Sequence, residues 1–352
     1  MNENKHKTLP LTSKPQSPSK NLLQIGIFKK AIGIIVIFTL LVVNFSCSSS
    51  EKKDDRNDGL TGELLVFHAG SLSLPFKKIT KKFISMNPGV DIKLESAGSV
   101  ASARKITDLN RYCDIFASAD YKVIDEMLIP EHTDFNIKFA GNEMAIVYTE
   151  KSKYASEINE KNWHEILLKD DVHYGRSNPD ADPCGYRAVL VSKLSNTYYN
   201  KPGFAEKILA KDNKYIRPKE TDLLALLETG TIDYIFLYRS VAQQHKLSYL
   251  LLPDSINLKK FELKEFYSTV ETQIMGKKKG ETITKKGAPM VYGITMHKDA
   301  KNKKLAMGFM KFILSDGMKI MEKNGQTSLV PSVTDSFDKI PEELKGFASK
   351  GL

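Results

Sequence analysis

The sequence predicts an α/β protein of two lobes, and three observations carry that expectation. Short apolar runs alternate with stretches whose apolar residues recur every three to four positions, the rhythm of a mostly parallel sheet with helices on both faces. The part expected to fold begins near residue 60 of 352 and is longer than a single core usually fills. Two strong strand patterns, 141–149 and 288–296, bracket the middle third. The chain is therefore expected to leave the first lobe at one and return at the other, which makes a two-stranded hinge beside a ligand cleft. The division this implies is 61–143 plus 288–352 for the first lobe and 144–287 for the second.

In chain order, Glu63–Phe67 is short and apolar enough for a buried strand, and Ala69-Gly70-Ser71 turns the chain. Ser73 followed by Pro75 suits a helix start, and Phe76, Ile79 and Phe83 share one helical face until Asn87-Pro88-Gly89 stops it. Val90, Ile92 and Leu94 alternate as a strand. Gly98-Ser99 turns into a helix carrying Val100, Ala103 and Leu109. Asp114–Ala117 is a third strand and Tyr121–Met127 a third helix. After the strand 141–149, a short strand at 172–175 leads into a polar loop, 176–183, and a helix with Leu190, Val191, Leu194 and Tyr198. Thr221 is expected to cap a helix over 222–228 that Gly230 ends, and Ile232–Tyr238 is a buried strand. Residues 254–287 are charged and poorly periodic, and Lys277-Lys278-Lys279 reads as a solvated loop or hairpin. The strand 288–296 precedes a helix through Leu305, Phe309, Phe312 and Ile313, continued by Met318, Ile320 and Met321.

Residues 1–46 read as a lipoprotein signal peptide. Lys29 and Lys30 precede an apolar run, Ala31–Val43, too short to cross about 30 Å of hydrocarbon. Ser46-Cys47 followed by a polar stretch makes Cys47 the expected lipidated N-terminus and 47–60 a tether; an uncleaved N-terminal anchor is the alternative. Both place the remainder outside the cytoplasm.

Composition excludes several classes. The segment 1–46 holds six Lys and one Glu, which leaves +5 of the formal +10 for the rest, too little to call for nucleic acid. Cys113 and Cys184 are able to pair but do not make a disulfide framework, and the seven His show no paired spacing for zinc. No Gly-x-Ser-x-Gly elbow or His-Glu-x-x-His motif is present, and His68 near Ser71 has no orienting acid, so an enzyme is not expected. No cofactor is expected either.

Three strand-to-helix turns carry small polar residues: Gly70-Ser71, Gly98-Ser99 and Ser118. Such turns expose backbone N–H groups and hydroxyls at helix N-termini, where anions bind. Taken singly, each serine reads better as a cap of its own helix; three on one lobe point to an oxoanion site. Asp182-Pro183 has the form of an N-cap with proline at the first helical position. Glu220 is readable as an exposed carboxylate, and Tyr238 as core with its hydroxyl on a backbone partner.

The stretches HAGSLS (68–73), ESAGSV (95–100), ASADY (117–121), GRSNPDADPCGYR (175–187), KETDL (219–223) and YIFLYRSVAQQH (234–245) resemble the tungstate/molybdate-binding proteins of the WtpA type, relatives of the ModA molybdate-binding proteins. The likeness runs from about residue 62 to 350, and the 175–187 block is its most specific part. It implies a type II periplasmic-binding-protein fold and one oxoanion bound between the lobes by Gly70, Ser71, Ser99, Asp182, Pro183, Cys184, Glu220 and Tyr238. In that family an Asp and a Glu coordinate the metal atom directly; here these are Asp182 and Glu220, with Asp180 the weaker rival. The implied partners are an ABC permease and its ATPase, with the protein monomeric and held at the membrane by lipid on Cys47. Another oxoanion such as sulfate or phosphate, or ferric iron, is the alternative; adjacent tyrosines such as Tyr198-Tyr199 are what iron binders of this fold use, but their place on a predicted helix far from the small-residue turns makes core packing the better account.

Overall fold

The structure is a computed structural model that describes residues 59–276 and 280–351. The signal peptide, Cys47, the tether as far as residue 58 and the Lys277–Lys279 run lie outside those residues. Among the described residues no helix is long and apolar enough to cross a membrane.

Two sheets organise the chain. The first contains β1 (Gly62–Ala69), β2 (Val90–Ala97), β3 (Ile115–Ser118) and β4 (Ile137–Gly141). The second contains β5 (Met144–Tyr148), β6 (Tyr174–Ser177), β7 (Ile216–Arg217), β8 (Tyr234–Tyr238) and β9 (Ser248–Leu251). A separate hairpin follows, β10 (Glu271–Met275) paired with β11 (Thr282–Lys286). β12 (Val291–Met296) and β13 (Thr327–Ser328) then return to the first sheet. The strand order is β13-β4-β12-β3-β1-β2 in the first sheet and β7-β6-β8-β5-β9 in the second.

Each sheet is mixed. β1 runs parallel to β2 and β3, whereas β12 is antiparallel to both β3 and β4. In the second sheet β6 is parallel to β7 and β8, and β5 is antiparallel to β8 and β9. The reversals arise where the chain passes from one sheet to the other without a crossover helix, because such a helix is what lets neighbouring strands run parallel.

The predicted strand 141–149 is in fact β4 and β5, one in each sheet, separated by Asn142-Glu143. These two residues are buried polar groups with partners. The Asn142 amide reaches Ser240 and Tyr292, and Glu143 takes Arg239 at 2.6 Å and Lys259 at 3.1 Å. An apolar pattern on both sides hid the break. The return crossing lies between β11 and β12, inside the second predicted pattern.

Helix α1 (Ser73–Met86) buries Phe76, Ile79 and Phe83 as the spacing predicts. α2 (Ser99–Thr107) ends before Leu109, which is exposed. Three other helices differ from expectation. The segment after β3 is one α-turn, Tyr121–Val123, continued as a π-helix over Ile124–Leu128. Residues Glu220–Leu223 form a 3-10 turn before the helix Leu224–Glu228, and Thr221 caps nothing. The last long helix is two, Lys303–Leu314 and Asp316–Lys323, broken at Ser315.

The β10–β11 hairpin follows the second sheet in the chain but reaches elements of the first. Lys285 is buried and pairs with Glu126 at 2.5 Å. Arg104 of α2 donates to the carbonyls of Met275, at 2.7 Å, and Gly276, at 3.3 Å. The Asp180 carboxylate accepts from Met275 N at 2.7 Å. Asp180, the rival acid of the 175–187 block, is thus engaged with the hairpin.

Candidate functional site

The C-terminal ends of β1, β2 and β3 carry the three small-residue turns, and the facing wall comes from the loop before the helix Pro183–Tyr198, the 3-10 turn at Glu220 and the end of β8. The two walls touch. Ala101 N donates to Ala181 O at 3.0 Å, and a Cβ at Gly98 would lie 2.3 Å from that same carbonyl oxygen. A Cβ at Gly70 would lie 2.7 and 2.8 Å from the two carboxylate oxygens of Glu220. Glycine at both positions is therefore a matter of space between the walls.

None of the three serines caps the helix after it. Ser71 Oγ bonds Tyr292 Oη at 2.9 Å, Ser99 Oγ accepts from Ala119 N at 3.0 Å, and Ser118 Oγ donates to Asp120 O at 2.6 Å. Ser71 and Ser99 are fully buried.

Asp182 is the N-cap that its sequence context suggests. One oxygen accepts from Cys184 N at 3.1 Å and the other from Glu220 N at 2.8 Å, which ties the two acid-bearing segments together. Each carboxylate oxygen has lone pairs beyond those bonds. Glu220 is also buried, at 1% exposure, but among the described residues neither of its oxygens has a hydrogen-bond partner. Its pKa stands well above the ordinary carboxyl value, first because burial penalises the charged form and second because Asp182 adjoins it. Burial likewise raises Asp182.

Tyr238 is core, as one reading of the sequence has it, yet its hydroxyl does not go to backbone. It accepts from Arg187 Nη1 at 2.9 Å, so its own hydrogen remains to be donated. Arg187 also donates to Ala119 O at 2.8 Å and stands 3.9 Å from Asp120. Burial alone would lower the Arg187 pKa, but Tyr238, Asp120 and Tyr186 raise it overall, so the guanidinium stays charged. Asp120 in turn accepts from Tyr186 Oη at 2.5 Å.

The structure thus brings Gly70, Ser71, Asp182 and Glu220 together and sets Ser99 on the same wall as Gly98. Cys184 is buried beside Asp182, its thiol directed to Phe236 O at 3.6 Å, and its backbone N–H is the part that serves the acid. Among the described residues Cys113 and Cys184 are both free. Arg187 and Tyr292 were missed by sequence reasoning. Arg187 closes the most specific motif, but its partners Ala119 and Tyr238 are far off in the chain. Tyr292 is indistinguishable from strand core by pattern.

Two other candidates fall away on geometry. Tyr199 donates to Glu160 O at 2.5 Å, accepts from Trp163 at 3.0 Å and stacks on His164, which makes it a packing residue. His68 packs on Phe76 with Nδ1 on Ala69 O at 2.8 Å, and burial brings its pKa down to about 4. It has no carboxylate partner among these contacts.

Gly98→Ala tests the contact between the walls. Overpacking by one methyl against a backbone carbonyl costs about 1–3 kcal/mol, so the unfolding temperature is expected to fall by roughly 5 °C, which thermal unfolding of wild type and variant checks.

The model of the family of bacterial extracellular solute-binding proteins matches residues 64–327. A solute-binding protein of Petrotoga mobilis is 50% identical over 298 residues, spanning 84% of this chain and 92% of that one. The molybdate/tungstate-binding protein WtpA of Thermococcus kodakarensis is 44% identical over 347 residues, spanning 90% of this chain and 96% of that one. Among solved structures, the periplasmic molybdate-binding protein of Azotobacter vinelandii superposes with a TM-score of 0.56 at 15% identity, over 75% of this chain and 98% of that one. At that identity the likeness speaks for the fold, which is the type II periplasmic-binding fold.

Proposed function

Since the chain belongs to the family of bacterial extracellular solute-binding proteins, we propose that it binds tungstate or molybdate between its two sheets as the substrate-binding component of an ABC importer. The observation that carries this reading is the Glu220 carboxyl, buried against Gly70 beside Asp182 with no hydrogen-bond partner for either oxygen among the described residues. A buried acid left unpaired is costly, and a site that keeps one has a use for it.

Two carboxylates facing a dianion look unfavourable. At about 4 Å and an effective dielectric of about 20, each acid that is ionised repels a unit charge by about 4 kcal/mol. The repulsion is offset if the acid oxygens bond directly to a high-valent metal atom, for which hard oxygen donors are suited. Sulfur in sulfate does not enlarge its coordination shell in this way. The same two acids then attract molybdate or tungstate and repel sulfate. Ser71, Ser99, Tyr238 and backbone N–H groups serve the oxide oxygens as donors, with Pro183 and Cys184 supplying the backbone of the second wall.

Closure of the walls over the anion would present one liganded shape to a membrane permease, whose ATPase drives import. A lipid on Cys47 would keep the monomer beside that permease, and no turnover of the anion is part of this reading.

A thermal-shift panel tests it. Ligand at about 100 times its dissociation constant adds about 2.7 kcal/mol of stability. Tungstate and molybdate are expected to raise the unfolding temperature, while equal concentrations of sulfate and phosphate leave it in place. A shift with sulfate alone would overturn the proposal.

A further inference from the structure

Asn142 occupies the first crossing between the sheets, and its side chain is oriented without ambiguity. Its Oδ1 accepts from the backbone N–H groups of Glu143, at 2.9 Å, and Ser240, at 3.4 Å. Its Nδ2 therefore points to Ser240 Oγ, at 2.7 Å, and to Tyr292 Oη, at 2.9 Å. An amide N–H only donates, so the Tyr292 oxygen accepts and the phenol hydrogen is left for Ser71 Oγ, 2.9 Å away. Ser71, having accepted, has its own hydrogen free for the cleft, next to the Gly70–Glu220 contact. Asn142, Tyr292 and Ser71 are all buried, so water does not compete for these bonds. The Ser71 carbonyl is held as well, accepting from Gln326 Nε2 at 3.1 Å.

We propose that Asn142 and Tyr292 are positioning residues that set the Ser71 hydroxyl as a hydrogen donor to the bound oxoanion. The proposal rests on the cleft reading above. A fully deprotonated oxoanion presents only acceptors, so a hydroxyl that turned its lone pair into the cleft would repel it. The chain from Asn142 removes that rotamer. It also links ligand contact to the crossings, because Asn142 lies in one and Tyr292 stands at the start of β12, just past the other. A change in the angle between the sheets that separated these two residues would release the serine.

The test is calorimetric titration of sodium tungstate into wild type, Tyr292→Phe and Asn142→Ala, each also made in a Ser71→Ala background, with thermal unfolding to verify folding. Each substitution is expected to weaken binding by about three- to tenfold when Ser71 is present, the worth of one neutral hydrogen bond. Neither is expected to weaken it further once Ser71 is alanine. Equal losses in both backgrounds, or no loss in either, would overturn the relay. Should Asn142→Ala fail to fold, the Tyr292→Phe pair decides alone. If wild type does not bind tungstate, the series is repeated with molybdate, sulfate and phosphate. Binding of sulfate or phosphate alone overturns the tungstate and molybdate reading while still testing the relay, and binding of none overturns both.

Discussion

Replacing Glu220 with alanine is expected to weaken tungstate binding by at least about a hundredfold, since even residues that only support a metal ligand cost 10- to 100-fold when lost. Asp182→Ala is expected to match it and to loosen the Glu220 segment too, because Asp182 also holds Glu220 N at 2.8 Å. Calorimetry of both variants checks this, and unchanged tungstate affinity would remove the coordination argument. Glu220→Gln separates function from stability. Below the ordinary glutamate value of 4.5 the carboxyl is protonated in folded and unfolded chains alike, so it has no pH-dependent effect there. As pH rises, the unfolded chain ionises first, and the folded chain, whose pKa is raised by burial and by Asp182, loses stability progressively. The glutamine variant avoids that loss. It is expected to unfold at a higher temperature than wild type at pH 7, with the gap closing toward pH 4.5, while failing to bind tungstate.

Asp120→Asn is expected to lower the unfolding temperature by roughly 10 °C. The substitution leaves Arg187 buried without a counter-charge, and breaking a buried pair in this way costs about 3–5 kcal/mol, each kcal/mol being worth about 2–4 °C in a chain of this size. It also weakens the bond from Tyr186 Oη, 2.5 Å from the acid. Burial alone would raise the Asp120 pKa, but Arg187 and Lys285 outweigh it and the net shift is downward. Its contribution is therefore present above the ordinary aspartate value of 3.8 and lost as pH falls through the depressed one. Thermal unfolding of wild type and variant at pH 7 and pH 3 checks both statements: the difference between them should be largest at pH 7.

The parts of the fold legible in the sequence are those set by local pattern. β1, α1 and β2 follow from apolar spacing and from the Asn87-Pro88-Gly89 stop, and the Asp182-Pro183 helix start follows from capping chemistry. The site was legible where the chain announces it by small residues, at Gly70-Ser71 and Gly98-Ser99. Glu220 is different. Nothing in Lys219-Glu220-Thr221 separates a buried acid from an exposed one, and only the resemblance of KETDL to a known family singled it out. Asn142 was swallowed by a strand pattern because both neighbouring strands are apolar. Tyr292 and Arg187 act through partners remote in sequence, at Ser71 and Ala119 respectively, and no single-chain periodicity records such a pairing.

The hairpin of β10 and β11 bears on how a cargo would leave. Its buried Lys285–Glu126 pair and its Arg104 contacts involve none of the residues proposed to touch the anion. Escape of the proposed cargo would then depend on two events of unlike kind: surrender of its coordination, and unfastening of a charged strap that holds no part of it. A transporter that pulled on the strap would need no contact with the anion to set it free, so the residence time of the cargo would be governed by groups other than those that judge its identity.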